Sequence, residues 1–189
     1  KEGWGGWQKP IMANDFIVVG PSRDPANATS AVKAGVAEVF KRIARAKAFF
    51  VSRGDQSGTH LREQKIWETA AITPKGSWYI TSSGVAGNQE CLKLAEEKGA
   101  YTLVDKASYL LTAINSKQNI YVDKEQVHKD KDRGLLNNIF VLTLINSKRI
   151  PSVNTQDALL FIDWLQEYGV NIVSAFGREK FGEPLFSTI

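Results

Sequence analysis

Short apolar, β-branched runs alternate along the chain with stretches whose apolar residues recur at helical spacing, and few folds accommodate that rhythm. Residues 15–19 (Asp-Phe-Ile-Val-Val) form the first such run, and Gly20-Pro21 ends it. Val32, Val36, Val39, Phe40 and Ile43 then trace one face of a helix, with Thr29 or Ser30 expected as its N-cap. The pattern repeats. A strand at 48–51 precedes a helix bearing Leu61, Ile66 and Trp67, which Pro74-Lys75-Gly76 breaks. A strand at 77–81 precedes a helix at 88–98, with Gly99 placed to terminate it. A strand at 100–104 leads into a helix that Asp105 can cap and that carries Tyr109, Leu110, Leu111 and Ile114. The mixed-charge run 123–133 reads as a solvated loop or polar helix face. Residues 139–145 are the most hydrophobic strand candidate. Asn154 with Asp157 then caps a helix whose inner face would be Ala158, Phe161, Ile162 and Leu165. This order predicts an α/β fold with a mainly parallel sheet flanked by helices.

Composition narrows the function classes. With 189 residues the chain can bury a sizeable core as one large domain or two small lobes. A net charge of +4, with no basic stripe interleaved with aromatics, argues against a nucleic-acid partner and gently favours an anionic ligand. The single cysteine, Cys91, excludes an internal disulfide and leaves too few ligands for a zinc-finger-type site. Lys1-Glu2-Gly3-Trp4 is neither an initiator methionine nor a secretion signal, so a processed or truncated chain is expected.

The most informative local feature is Ser52-Arg53-Gly54-Asp55-Gln56-Ser57-Gly58-Thr59, where a strand runs through a two-glycine loop into a helix. The first N–H groups of a helix lack intrahelical partners, and the helix dipole places partial positive charge there. Gly54 and Gly58 would let the backbone approach a ligand, Arg53 could present a planar fork of donors, and Ser57 and Thr59 would add hydroxyls. Together these suit an oxyanion. The same residues also permit a plain structural arrangement, in which Asp55, Ser57 or Thr59 caps the helix and Arg53 pairs with Asp55. The tripeptide Arg53-Gly54-Asp55 matches a cell-adhesion motif, but three residues carry too little information to use.

A second junction at 81–88, with Ser82, Ser83, Gly84 and Gly87, could direct further amides to the same place. Catalytic constellations are absent from the local sequence: His60 and His128 have no neighbouring Ser, Cys or carboxylate that suggests a triad. Cys91, spaced helically from Leu94 and Ala95, reads as a buried small hydrophobe. No Walker loop or dinucleotide fingerprint is present. No catalytic residue, cofactor or metal ligand is therefore expected.

Several segments, in order, resemble the tungstate-binding solute receptors of ABC transporters. Pro10–Pro21 is similar to the family's crossing strand, and Phe50-Val51-Ser52-Arg53-Gly54-Asp55-Gln56-Ser57-Gly58-Thr59-His60 to its signature. Residues 98–105 and 161–165 follow, and 176–186 is similar to the family's ending. The resemblance implies a type II periplasmic-binding-protein-like fold of two lobes closing on a ligand. Residues 1–14 would be a crossover and part of the first lobe, 15–137 the complete second lobe, and 138–189 the return crossover and the C-terminal part of a partial first lobe. The segment Asn137-Asn138-Ile139-Phe140 departs from the family's more usual Pro-aromatic pattern at that return. It implies a tungstate or molybdate ligand, contacted by Arg53 and Thr59, with Ser57 and the amides around Gly58 contributing. An ABC transporter permease would be the partner and the location periplasmic or extracytoplasmic. The family's remaining donors come from early first-lobe segments, so a missing segment or a second chain would complete the cleft.

Three other readings share this pocket. One is the ligand-sensing domain of a regulator, one a phosphate-type anion binder or phosphate-handling enzyme, and one a degenerate receptor without ligand. Asp55 bears on the phosphate reading, because a carboxylate facing the ligand would accept the O–H of hydrogen phosphate. It is expected to face away, capping the helix or holding Arg53.

Overall fold

In the computed structural model the described residues are 3–82, 87–112, 116–127 and 130–189. They divide into two compact units, one of residues 1–14 with 138–189 and the other of residues 15–137. Strand β1 (Gly5–Pro21) contributes its first part to the former and its second part to the latter.

The larger unit is built on a five-stranded sheet ordered β3-β2-β4-β1-β5, with β2 at Phe50–Ser52, β3 at Tyr79–Thr81, β4 at Tyr101–Asp105 and β5 at Gln118–Val122. β2 pairs in parallel with β3 and β4, whereas β1 is antiparallel to both β4 and β5. Four of the five strands therefore share one direction, and the mainly parallel α/β fold is observed. The run Phe16–Val19 is apolar at every position because both faces of its sheet are covered. Phe16 and Val18 join a core with α1 (Val36–Ala46) and α2 (Gly58–Thr69), while Ile17 and Val19 pack with Val104 and with Leu92 of α3 (Asn88–Lys98). Phe40, Phe50 and Trp67 lock the first of these cores, with Phe40 and Trp67 ring centroids 4.4 Å apart.

The N-cap of α1 is Gly35, not Thr29 or Ser30; residues Ala28–Ala34 form a separate 3-10 turn, held by Asp24, whose carboxylate accepts the Ala28 and Thr29 N–H groups. Gly35 breaks the helical run because its φ of 110° is a left-handed value and a Cβ there would collide with the Asp132 carboxylate. The charged run 123–133 is not all solvated. It holds a 3-10 turn (Lys124–Gln126) and α5 (Asp130–Leu135), with Val127 and Asp132 buried. Strand β5 was not anticipated. Gly99 ends α3 in a left-handed conformation as expected, and Asp105 caps α4 (Lys106–Thr112) by accepting the Ser108 N–H at 2.9 Å. Ser83, Gly84, Ile114 and His128 lie outside the described residues.

In the other unit the first part of β1 pairs with β6 (Asn137–Ile145) and β7 (Ser187–Thr188). Asn154 caps α6 (Thr155–Trp164) by accepting the Asp157 N–H at 3.1 Å. A π-turn at Leu165–Gly169 continues into α7 (Val170–Ala175), and α8 (Arg178–Phe181) follows. Of the expected inner face of α6 only Ile162 is buried, and Phe161 is 54% exposed.

Candidate functional site

The carboxyl ends of the parallel strands β2, β3 and β4 open onto three loop–helix junctions, the place where open α/β sheets hold ligands. At the first, the chain leaves β2 at Ser52, turns through Arg53–Gln56 and enters α2 with Ser57 as N-cap. The turn is tight: Gly54 and Gln56 both take left-handed φ values, 63° and 61°. Gln56 is held there by donation of its N–H to His60 Nδ1 at 3.0 Å, which gives the buried His60 a structural task. Gly54 is needed for packing against protein, since a Cβ there would sit 2.0 Å from Thr81 Cγ2. A Cβ on Gly58 would meet nothing within 4 Å, so of the two glycines Gly58 borders open space.

Arg53 lies mostly inside the protein, its side chain 15% exposed, and it is gripped from two sides. Its Nε and Nη2 both donate to Asp55 Oδ2, at 3.1 and 2.5 Å, while Nη1 donates to Asn88 Oδ1 at 2.8 Å. A guanidinium has five N–H groups, so two remain without a partner among the described residues. Asp55 Oδ1 accepts the Ser57 N–H at 3.1 Å, so Asp55 both holds Arg53 and braces the turn, as expected. Burial alone would raise its pKa, but the Ser57 hydroxyl and amide and the Arg53 charge outweigh that and bring it down to about 2.

Ser57 performs the capping role: its Oγ accepts the His60 N–H at 3.3 Å, and its carbonyl accepts that of Leu61. The remaining first-turn amides of α2, on Gly58 and Thr59, have no acceptor among the described residues. Thr59 is buried at 6% exposure on this first turn.

The second junction contributes through Ser82 and Asn88. Ser82 is buried, donates its N–H to Ser52 O at 2.9 Å and its hydroxyl to Arg53 O at 3.2 Å, which ties the two loops together. Sequence spacing marks Asn88, the first residue of α3, only as a helix start, and Asp105 only as a cap. Asn88 Nδ2 donates to Asp105 Oδ2 at 2.5 Å, so a hydrogen-bonded chain runs Asp55–Arg53–Asn88–Asp105 across all three junctions. Sequence spacing carries no signal for it, because the four residues meet only through strand order. Cys91 is buried beneath, its thiol pushed up to about 11 by burial, and is chemically quiet. Among the described residues no group of three His, Cys, Asp or Glu side chains could hold a metal ion.

A family model for the PBP superfamily domain matches residues 1–166. The chain belongs to the PBP superfamily. Within it the chain resembles proteins named TupA. It is 34% identical over 181 residues to the tungstate-binding protein TupA of Peptoclostridium acidaminophilum, an alignment that covers 95% of this chain and 60% of that protein. It is 36% identical over 190 residues to a putative ABC transporter anion-binding protein of Haloferax volcanii, covering 98% of this chain and 52% of that protein. Among solved structures, the tungstate ABC transporter protein of Geobacter sulfurreducens superposes with a TM-score of 0.75 at 33% identity, covering 93% of this chain and 70% of that one. The chain thus spans between half and two thirds of the two curated relatives. Among the described residues of this PBP-superfamily chain no helix is long and apolar enough to cross a membrane.

Proposed function

We propose that this chain captures a tetrahedral dianion, tungstate or molybdate, and passes it to the membrane permease of an ABC transporter outside the cytoplasm. The observation that carries the reading is that one strand–loop–helix turn holds both a guanidinium fixed by Asp55 and Asn88, with two N–H groups unengaged among the described residues, and the Gly58 and Thr59 amides that open α2. Arg53 supplies charge, Thr59 a hydroxyl, and the two amides neutral donors aligned with the helix dipole. Ser57 shapes the turn as its cap. No bond is made or broken; the ion is held by charge and hydrogen-bond donors alone.

The donors at this junction do not suffice for tight capture. A charge-assisted arginine contact contributes about 1.5–3 kcal/mol, and a helix terminus up to roughly 2. Nanomolar affinity needs about 12 kcal/mol net. Further donors must come from elsewhere in the protein, and the isolated 189-residue chain is expected to bind weakly.

Asp55 argues for a full dianion over hydrogen phosphate. With Oδ2 on the Arg53 guanidinium and Oδ1 on the Ser57 N–H, and with its pKa brought down to about 2, it is an ionised carboxylate already engaged by its own turn rather than a protonated one or a waiting acceptor for a ligand O–H. A thermal-shift series on the full-length gene product tests the reading. Sodium tungstate and molybdate should raise the melting temperature in proportion to log concentration, while phosphate at equal concentration should not. A larger rise with phosphate would replace this proposal by the phosphate one.

A further inference from the structure

Asn88 stands between two groups that leave its amide no choice of orientation. Arg53 can only donate, so it requires the amide oxygen; the Asp105 carboxylate can only accept, so it requires the NH2. Asp105 is itself buried and immobilised, taking the Ser108 N–H on Oδ1 at 2.9 Å and the Ser108 hydroxyl on Oδ2 at 2.6 Å. On the other side Asp55 takes the Nε and Nη2 donors. The guanidinium is therefore clamped by groups from two different junctions, and a third junction holds the clamp.

We infer that Asn88 is a positioning and specificity-determining residue for the oxyanion: it transmits the fixed position of Asp105 to Arg53 and so sets the plane in which the two remaining N–H groups are offered. This inference rests on the oxyanion reading of the site. A guanidinium held in one plane matches one spacing of ligand oxygens, whereas one free to swing adapts to a smaller tetrahedral anion. Loss of Asn88 should therefore lower affinity for the large anion and blunt discrimination against sulfate. An aspartate at the same place keeps the shape and the acceptor toward Arg53 but sets two carboxylates against each other, which must share a proton to coexist. Among the described residues the charged groups bonded to Asn88 are Arg53 and Asp105, with Asp55 on the far side of Arg53.

The test is calorimetric titration of the full-length gene product with sodium tungstate and sodium sulfate at pH 8 and pH 6. Wild type, Asn88→Ala and Asn88→Asp are compared, with Asn88→Ser as the substitute if the alanine variant does not fold. Asn88→Ala is expected to lose about tenfold in tungstate affinity and to show a smaller tungstate-to-sulfate ratio. Asn88→Asp is expected to bind worst at pH 8 and to recover part of the gap to wild type at pH 6. Wild type measured at both pH values controls for the anion's own protonation. Variants that match a tungstate-binding wild type overturn the inference. So does an Asn88→Ala that loses tungstate and sulfate by one common factor while the aspartate variant is indifferent to pH, since that is a merely structural role. A wild type that binds no tungstate overturns the oxyanion reading together with the inference.

Discussion

A single oxygen of Asp55 receives two N–H groups of Arg53, the Nε at 3.1 Å and the Nη2 at 2.5 Å, so the side edge of the guanidinium is closed by the protein itself. That pairing decides which donors remain for a ligand, and it also gives the site a measurable acid limit.

Asp55 titrates near 2 in the folded chain against 3.8 for the unperturbed group. A carboxylate with a depressed folded pKa stabilises the fold fully above its unfolded value and loses that contribution as pH falls through the folded one. Stability should thus decline as pH drops from about 4 to about 2, and Asp55→Asn should remove that part of the decline. Chemical denaturation at a series of pH values measures it; an Asp55→Asn profile that coincides with wild type would show the pair to be idle.

Glu63 behaves in the opposite sense. It is 2% exposed in α2, and burial pushes its pKa up to about 7, held down only in part by the neighbouring Ser52 and Tyr79 hydroxyls and the Trp67 indole. Its Oε1 accepts from Tyr79 OH at 2.7 Å and Trp67 Nε1 at 3.0 Å. Because the folded pKa is raised above 4.5, its contribution is intact below that value and is lost as pH climbs toward 7. Glu63→Gln, which keeps the acceptor, should match wild type near pH 4 and exceed it at pH 8 by up to about 3 kcal/mol. Equal stability of the two proteins at pH 8 would contradict this.

Gly54 is required by φ and by space. Gly54→Ala should destabilise the fold by about 1–3 kcal/mol, read as a lowered melting temperature. Adding Thr81→Ser, which removes the methyl that a Cβ would strike, should restore part of the loss but not the share due to φ. No recovery in the double variant would place the whole cost in the backbone.

These properties also explain what could be read in advance. The buried strands are legible because Phe16–Val19 is apolar on both faces and Tyr101–Val104 is apolar but for Thr102, a pattern few other structures tolerate. β5 was not, since Gln118 and Asn119 dilute its apolar residues and its place at the sheet edge is set by pairing with β1. The expected burial of Phe161 followed from helical spacing alone, which identifies a face but not what covers it. At the site, Arg53, Ser57, Gly58 and Thr59 were visible as a contiguous strand–loop–helix stretch. Asn88 and Asp105 were not, because they lie 35 and 52 positions beyond Arg53 and join it only through the order β3-β2-β4.

The most direct measurement is the affinity of the full-length gene product for sodium tungstate, by calorimetry, beside its Arg53→Gln and Thr59→Val variants. The wild type should bind one tungstate per chain, with a loss of roughly ten- to hundredfold for Arg53→Gln and a smaller loss for Thr59→Val. Absence of tungstate binding by the wild type, or an Arg53→Gln variant that binds as tightly as wild type, would contradict it.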